Sequence, residues 1–165
     1  VDAALAALRP STAGRLVVVL GAGGDRDTGK RAAMGAAGAR WADDLIVTDD
    51  NPRSEDPAVI REQVLAGARS VLPADPDGTT CAPSLFSSDA GRAAHIERAV
   101  RLAREQGRPG DNTVVVLGKG HETGQDIGGT VHPFDDRDAL AAALRGAPYR
   151  PEGNDSGHVM TKGEL

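Results

Sequence analysis

The sequence has 165 residues, which is enough for one domain with a buried core. Its formal net charge of −5 and the lack of a Lys/Arg-rich run argue against a nucleic-acid-binding protein. No apolar stretch is long enough to cross a membrane, and the first residues lack the pattern of a signal peptide. The single cysteine, Cys81, excludes a disulfide within the chain and a thiolate zinc site. We therefore expect a cytoplasmic protein with no metal site of its own and no nucleic-acid or membrane partner.

The apolar pattern predicts several short strands. Runs rich in Val, Leu and Ile at 16–20, 45–48 and 113–117 are typical of buried parallel strands, because their apolar residues are consecutive rather than alternating. Weaker patterns predict a third strand at 70–73 and a last edge strand at 130–134. The buried runs suggest a sheet that is covered on both faces.

Helices are predicted between the strands. Residues 1–8 resemble a helix that is already under way, so we expect the chain to be part of a longer protein. Residues 74–88 are rich in Pro, Asp, Gly, Ser and Thr and predict an exposed loop. Further helices are predicted at 30–42, 57–68, 89–106 and 135–144.

This alternation predicts an α/β fold with a Rossmann-like, doubly wound, mostly parallel sheet. We expect the folded domain to cover residues 1–146. Residues 147–165 are polar and aperiodic towards their end, and they predict a disordered C-terminal tail.

Three polar segments directly follow the predicted strands. They are GAGGDRDTGKR at 21–31, DDNPR at 49–53 and GKGHE at 118–122. Ligands of doubly wound sheets bind beyond the carboxyl ends of the strands, so folding should bring these segments together at one edge. The sequence therefore predicts a binding site there.

The first of these segments resembles two phosphate-binding motifs and matches neither. It has the Gly-x4-Gly-Lys spacing of a P-loop, but Arg31 replaces the Ser or Thr that would hold magnesium. Asp25 and Asp27 would repel phosphate, and Arg26 stands where a dinucleotide fingerprint has its third glycine. The pattern argues against an ATP or NAD site within this domain.

The charges in the three segments favour an amino acid as ligand. Arg26, Arg31 and Arg53 offer planar guanidinium groups suited to carboxylates. Asp50 and Glu122 offer oxygen acceptors for ammonium groups. A small molecule that carries both carboxylates and ammoniums would satisfy this mixture.

The motifs also resemble a known family. GGDRDTGKR, DDNPRSEDP and GKGHETGQ, in this order and each after a strand, resemble the C-terminal domain of the MurE ligases, as does PFDDR at 133–137. The resemblance covers roughly residues 1–146. DNPR is the motif of the members that use meso-diaminopimelate, and lysine-adding members lack its arginine.

The resemblance implies an enzyme of three domains. An N-terminal domain would bind the UDP part of the substrate, a central P-loop domain would bind ATP and Mg²⁺, and this chain would bind the amino acid. The enzyme would be an ADP-forming amide ligase that adds meso-diaminopimelate to UDP-N-acetylmuramoyl-L-alanyl-D-glutamate in peptidoglycan biosynthesis. Without the other domains, the chain alone is expected to be inactive.

The resemblance also implies roles for individual residues. Asp50, Asn51 and Arg53 would hold the far end of diaminopimelate. Its other charged groups would bind a second set of residues, and two more residues are candidates for a site between domains. The second set is Arg26, Glu122 and the backbone at Gly118, and the interdomain candidates are Arg31 and His121.

Other interpretations stay open. The same kind of ligase could use L-lysine or ornithine, or the glycine-rich loop could belong to a stand-alone nucleotide-binding module. Arg31 could begin a helix and lie in solvent, and Asp50 could belong to a turn at the strand end. His95 is expected at the surface or half-buried, and Asp135 and Asp136 are most simply acids at a helix start.

Overall fold

The computed structural model describes residues 1–73, 82–108, 110–151 and 160–161. Helices and strands follow one another along the chain, and the predicted helices and the strands predicted at 16–20, 45–48 and 113–117 are among them. They are α1 (Asp2–Leu8), followed by a short 3₁₀ turn at Arg9–Ser11, β1 (Leu16–Ala22), α2 (Gly29–Trp41), β2 (Asp44–Asp49), α3 (Pro57–Ser70), β3 (Ser84–Ser87), α4 (Arg92–Glu105), β4 (Thr113–Leu117), β5 (Gly124–Ile127), β6 (Thr130–Pro133), α5 (Asp136–Arg145) and β7 (Met160–Thr161).

The main sheet has the strand order β3-β2-β1-β4, and all its pairings are parallel. Strand β1 lies inside the sheet, where Leu20 is in register with Val47 of β2 and Leu117 of β4. Every residue of β1 is buried, as expected for a parallel strand with helices on both faces. The predicted α/β, Rossmann-like doubly wound fold is confirmed.

Alternate side chains of β1 point into two separate cores. On one face, Val18 and Leu20 pack with side chains of α1, α2 and α3, including Leu5 and Val64. On the other face, Val19 packs with side chains of α4 and α5. The sheet is thus enclosed by two layers of helices, and its carboxyl edge is left for the polar loops.

Local signals set the ends of two helices. Asp56 precedes α3 and accepts a hydrogen bond from the backbone N–H of Ala58, with Pro57 at the first position. Asp135 caps α5 in the same way through the N–H of Arg137. Helix α5 ends at Arg145 and is capped by Gly146, whose φ of 69° is left-handed.

The prediction of a strand at 70–73 is wrong. Helix α3 continues through Ser70, and the third strand of the main sheet is β3, which pairs with β2. Strand β3 lies within the predicted loop at 74–88, and residues 74–81 of that loop lie outside the described residues. Its sequence SLFS has two serines among four residues, so it carries little apolar signal.

A strand forms where an edge strand is expected at 130–134, but it is the middle strand of a second sheet. Strands β5 and β6 make an antiparallel hairpin, and β7 pairs with β6. Most of the predicted disordered tail, 152–159 and 162–165, lies outside the described residues. Tyr149 also belongs to the predicted tail, but it is described and packs on the domain. Its ring centroid lies 5.0 Å from that of Phe134, and its hydroxyl oxygen accepts a hydrogen bond from the N–H of Asp135.

His95 is buried, contrary to the expectation that it lies at or near the surface. Its ring nitrogens lie 2.7 Å from Thr48 Oγ1 and 2.9 Å from Ser88 Oγ, and its ring meets Phe86 edge-on. Burial lowers the pKa of His95 below its usual value.

No helix in the described ranges is long and apolar enough to cross a membrane.

Candidate functional site

The three polar segments meet at the carboxyl edge of the main sheet, as the sequence predicts. A cleft of about 420 Å³ opens there. Strand β1 and its loop contribute most of its wall, and the loops after β2 and β4 complete it. Residues that line the cleft include Gly23, Arg26, Lys30, Asp50 and Gly118.

The first loop presents Arg26 to solvent and buries Arg31. Arg26 and Lys30 are exposed on the cleft wall. The Arg31 side chain is 2% exposed, and its guanidinium donates to both carboxylate oxygens of Glu55, at 2.8 Å each. It also donates to Gln63 Oε1 at 2.7 Å and to the carbonyl oxygen of Gly23 at 3.0 Å. The interpretation that Arg31 lies in solvent is therefore wrong, and its guanidinium already binds a carboxylate of the chain.

Asp50 lies at the floor of the cleft, beside a buried lysine. The side chains of Asp50 and Lys119 are 8% and 0% exposed, and Lys119 Nζ lies 3.4 Å from Asp50 Oδ1. Lys119 also donates a 2.6 Å hydrogen bond to the carbonyl oxygen of Gly124. The sequence interpretation did not single out Lys119, because a lysine between two glycines looks like part of an exposed turn. Its cation compensates the buried carboxylate of Asp50.

Asn51 connects the second loop to the third and to the hairpin. Its side-chain amide donates to a carboxylate oxygen of Glu122. Its side-chain Oδ1 accepts a 2.8 Å hydrogen bond from the backbone N–H of Asp126 in β5. The carbonyl oxygen of Asp50 accepts a further 2.6 Å bond from Gln125. Two of the predicted site residues, Asn51 and Glu122, are thus in direct contact.

Arg53 is held by the hairpin in an unusual backbone conformation. Its φ is 53°, in the left-handed region that non-glycine residues seldom adopt. Its N–H donates to Asp126 O at 2.9 Å, and its carbonyl oxygen accepts from Gly128 N–H at 2.7 Å. Its guanidinium donates to the carbonyl oxygen of Gly24 at 2.6 Å. Backbone pairing therefore aims the Arg53 side chain at the first loop.

The third loop approaches β1 closely. Gly118 has a φ of 115°, and a Cβ at this position would collide with the carbonyl oxygen of Gly21. The loop can pass here only because residue 118 is glycine. His121 and Glu122 lie farther along this loop and are exposed. His121 faces solvent in this chain, and its role at a site between domains stays a prediction.

Comparison with known proteins identifies the family. The profile of the family described as "Mur ligase, glutamate ligase domain" matches residues 1–120. The chain belongs to this family. A solved structure of a UDP-N-acetylmuramoyl-L-alanyl-D-glutamate–2,6-diaminopimelate ligase superposes on this Mur ligase domain with a TM-score of 0.68 at 33% identity, covering 88% of this chain and 26% of that one.

Curated relatives carry the same ligase name. The protein from Streptomyces coelicolor is 53% identical over 145 residues, which are 88% of this Mur ligase domain and 26% of the relative. The protein from Caulobacter vibrioides is 51% identical, over 86% of this chain and 25% of its own length. The protein from Corynebacterium efficiens is 47% identical, over 93% and 27%. The chain therefore spans about a quarter of the length of these relatives.

One contact of this Mur ligase domain escaped the sequence interpretation entirely. Arg92, in the first turn of α4, is 2% exposed and forms two 2.7 Å hydrogen bonds with the carboxylate of Asp136. Asp136 lies in the first turn of α5, as expected, and it is in addition the internal partner of an arginine. Asp135 does cap the helix.

In the part of the chain that the structure describes, no group of three His, Cys, Asp or Glu side chains could hold a metal ion.

Proposed function

We propose that this chain is the C-terminal, amino-acid-binding domain of an ADP-forming ligase that adds meso-diaminopimelate to UDP-N-acetylmuramoyl-L-alanyl-D-glutamate. The reaction belongs to peptidoglycan biosynthesis and takes place in the cytoplasm. The relatives with this ligase name support the reaction, and their length supports further domains in the enzyme. The observation that carries the proposal is Arg53, which the hairpin holds with its guanidinium at the first loop.

The charges in and beside the cleft would complement those of meso-diaminopimelate. This amino acid has a carboxylate and an ammonium group at each end. Arg53 and Arg26 would receive carboxylates, while Asp50 and Glu122 would receive ammonium groups. Asn51 fixes the Glu122 carboxylate through its amide, and the Gly118 backbone allows the ligand to approach the floor. The distal carboxylate would distinguish this substrate from L-lysine and ornithine, which lack it.

The described residues of the glycine-rich segment after β1 do not fit a nucleoside triphosphate. Asp25 accepts hydrogen bonds from Ser54, and Asp27 lies on the cleft wall, so both carboxylates stand where phosphates would need donors. Arg31, the cation of the same loop, is engaged with Glu55. We therefore assign ATP and Mg²⁺ to another domain of the ligase, where ATP would activate the glutamate side-chain carboxyl group.

The contribution of this chain to catalysis would be positioning. The cleft would hold the amine of diaminopimelate within reach of the activated carboxyl group. Fixing two reactants in a productive geometry contributes roughly 7–11 kcal/mol to rate enhancement. Closure of the domains around the cleft would exclude the water that hydrolyses the activated acid. No metal chemistry is required of the described residues.

Isothermal titration of the chain with meso-diaminopimelate, L-lysine, L-ornithine and ATP tests the proposal. Incorporation of each amino acid by the full-length ligase is measured in parallel. We expect diaminopimelate to be the preferred amino acid in both experiments and ATP not to bind the chain. Preference for lysine or ornithine would replace the substrate assignment. Tight binding of ATP to the chain alone, without use of any amino acid by the ligase, would instead favour a nucleotide-binding module.

A further inference from the structure

We propose that Arg92, held by Asp136, is a positioning residue that sets the spacing between the Asp50 loop and the Gly118 loop. This inference rests on the proposed function, because both loops belong to the proposed amino-acid site. Arg92 lies beneath the cleft and outside the set of residues that would touch the ligand. Its effect would be exerted through the backbone of the two loops.

The guanidinium of Arg92 contacts the last residues of β2 and β4, the two strands on either side of β1. It donates to the carbonyl oxygen of Asp49 at 3.2 Å and to that of Leu117 at 3.2 Å. These two residues directly precede Asp50 and Gly118 in the chain. One planar side chain therefore fixes the points from which both site loops leave the sheet.

Backbone hydrogen bonds of the sheet do not join the ends of β2 and β4 directly, because β1 lies between these two strands. Arg92 spans the gap beneath the end of β1. A Cβ added at Gly21 would come within 2.6 Å of Arg92 Nη1, so the guanidinium fills the space under this glycine. The bridge is therefore built into the packing of all three strands.

Asp136 determines how the guanidinium is oriented. Its two carboxylate oxygens accept from Nε and Nη2 of Arg92, at 2.7 Å each. This bidentate contact fixes the plane of the group and compensates a charge whose side chain is 0% exposed. The remaining N–H groups are then directed at the two strand ends. A lysine at position 92 would keep the charge but could not reproduce the bidentate contact together with both carbonyl contacts.

A second arginine–aspartate pair provides a matched control. At the opposite, amino edge of the same sheet, Arg15 Nε lies 2.8 Å from Asp44 Oδ2. Arg15 and Asp44 adjoin strands β1 and β2 but lie far from the carboxyl-edge loops. Leu5, a buried residue of α1, provides a second control for general loss of stability.

The test compares Arg92→Lys, Asp136→Asn, Arg15→Lys and Leu5→Ala in the full-length ligase. We expect Arg92→Lys and Asp136→Asn to lower kcat/KM for diaminopimelate by about ten- to a hundredfold, mainly through KM, because small displacements of positioning groups have effects of this size. The KM for ATP should change less than about twofold in the same variants, since the nucleotide would bind elsewhere. The Arg92→Lys/Asp136→Asn double variant should lose little more than either single variant, because the two residues act as one unit.

The controls decide between positioning and stability alone. Arg15→Lys and Leu5→Ala should keep the wild-type KM for diaminopimelate at temperatures where they are folded. The inference is overturned if the Arg92 and Asp136 variants keep that KM when folded, or if KM rises with the loss of Tm equally in all four variants. Should Arg92→Lys fail to fold, Asp136→Asn alone decides. A wild-type ligase that does not use diaminopimelate would contradict the proposed function instead.

Discussion

Arg31, in the first turn of α2, donates two parallel hydrogen bonds of 2.8 Å to Glu55 in the loop after β2. The arginine is buried, whereas the Glu55 side chain is 28% exposed. Glu55 Oε1 also accepts a 2.6 Å hydrogen bond from the backbone N–H of Asp25. Hydrogen bonds from the Arg31 side chain, followed by that from Asp25, lower the pKa of Glu55 to about 2. The wall of the cleft therefore depends on an ionised carboxylate.

This pKa predicts how stability depends on pH. The pKa of Glu55 is about 2 in the folded chain against a usual 4.5, so its ionised form favours folding. That contribution should be complete above pH 4.5 and be lost as the pH falls towards 2. We expect Glu55→Gln to lower Tm at pH 7 and to have a progressively smaller effect as the pH falls towards 2, where about half of the wild-type carboxyl groups are protonated. Thermal unfolding of both proteins across this range checks the prediction, which an equal difference in Tm at all pH values would contradict.

Two substitutions of Arg53 should separate its effect on diaminopimelate binding from the effect of its backbone strain on stability. In the full-length ligase, Arg53→Ala should raise the KM for diaminopimelate about ten- to a hundredfold, which corresponds to the loss of a charge-assisted hydrogen bond of about 1.5–3 kcal/mol. Arg53→Gly should raise this KM similarly. The glycine variant should nevertheless be more stable than the alanine variant by about 1 kcal/mol, because the φ of 53° is left-handed.

Steady-state kinetics and urea unfolding of the same two Arg53 variants check this separation. L-Lysine serves as the control substrate, since it has no distal carboxylate for Arg53 to bind. We expect the wild-type ligase to use L-lysine poorly, and neither variant should use it less well than the wild type does. An unchanged KM for diaminopimelate in both variants would exclude the proposed role of Arg53.

The sequence predicts the parts of this molecule that depend on local patterns. The sequence predicts strand β4 at 113–117, where it begins and ends, because Thr113 and four consecutive apolar residues stand between polar turns. The meeting of the three polar segments follows from the common direction of parallel strands, which places all their carboxyl ends at one edge of the sheet. Both features can be inferred without any knowledge of distant contacts.

Contacts between distant positions could not be predicted in this way. Arg92 and Asp136 are 44 residues apart, and each lies in the first turn of a helix, where charged residues usually face water. Lys119 is buried only because the hairpin and Asp50 surround it. Strand β3 has two apolar residues and gains its place from pairing with β2. In each case, tertiary packing decides a position whose local pattern is ambiguous.

Lys119 and Asp50 predict a non-additive effect on stability. Lys119→Met would leave the buried carboxylate of Asp50 without its cation. We expect the free energy of unfolding to fall by about 3–5 kcal/mol, as is usual when one partner of a buried pair is removed. Adding Asp50→Asn to Lys119→Met should restore part of this loss, because no uncompensated charge is then buried.

Urea unfolding of the wild type, both single variants and the double variant gives the coupling energy of this pair. Lys30→Met is the control, since the Lys30 side chain is 75% exposed and should contribute little. A double variant whose loss equals the sum of the two single losses would show that Lys119 and Asp50 do not interact.

Alanine substitutions at Gly118 and Gly120, in the same loop, should differ in their effects on stability and on diaminopimelate binding. Both have positive φ values, 115° and 66°, so a side chain is strained at either position. A Cβ at Gly118 would also meet the backbone of Gly21, whereas nothing lies within 4 Å of a Cβ at Gly120. Gly120→Ala should therefore cost about 1 kcal/mol of stability and leave diaminopimelate binding by the chain intact. Gly118→Ala should cost more and abolish binding, because β1 and the third loop must separate. Unfolding and isothermal titration of both variants check this contrast, and equal losses would mean that the close approach at Gly118 does not shape the cleft.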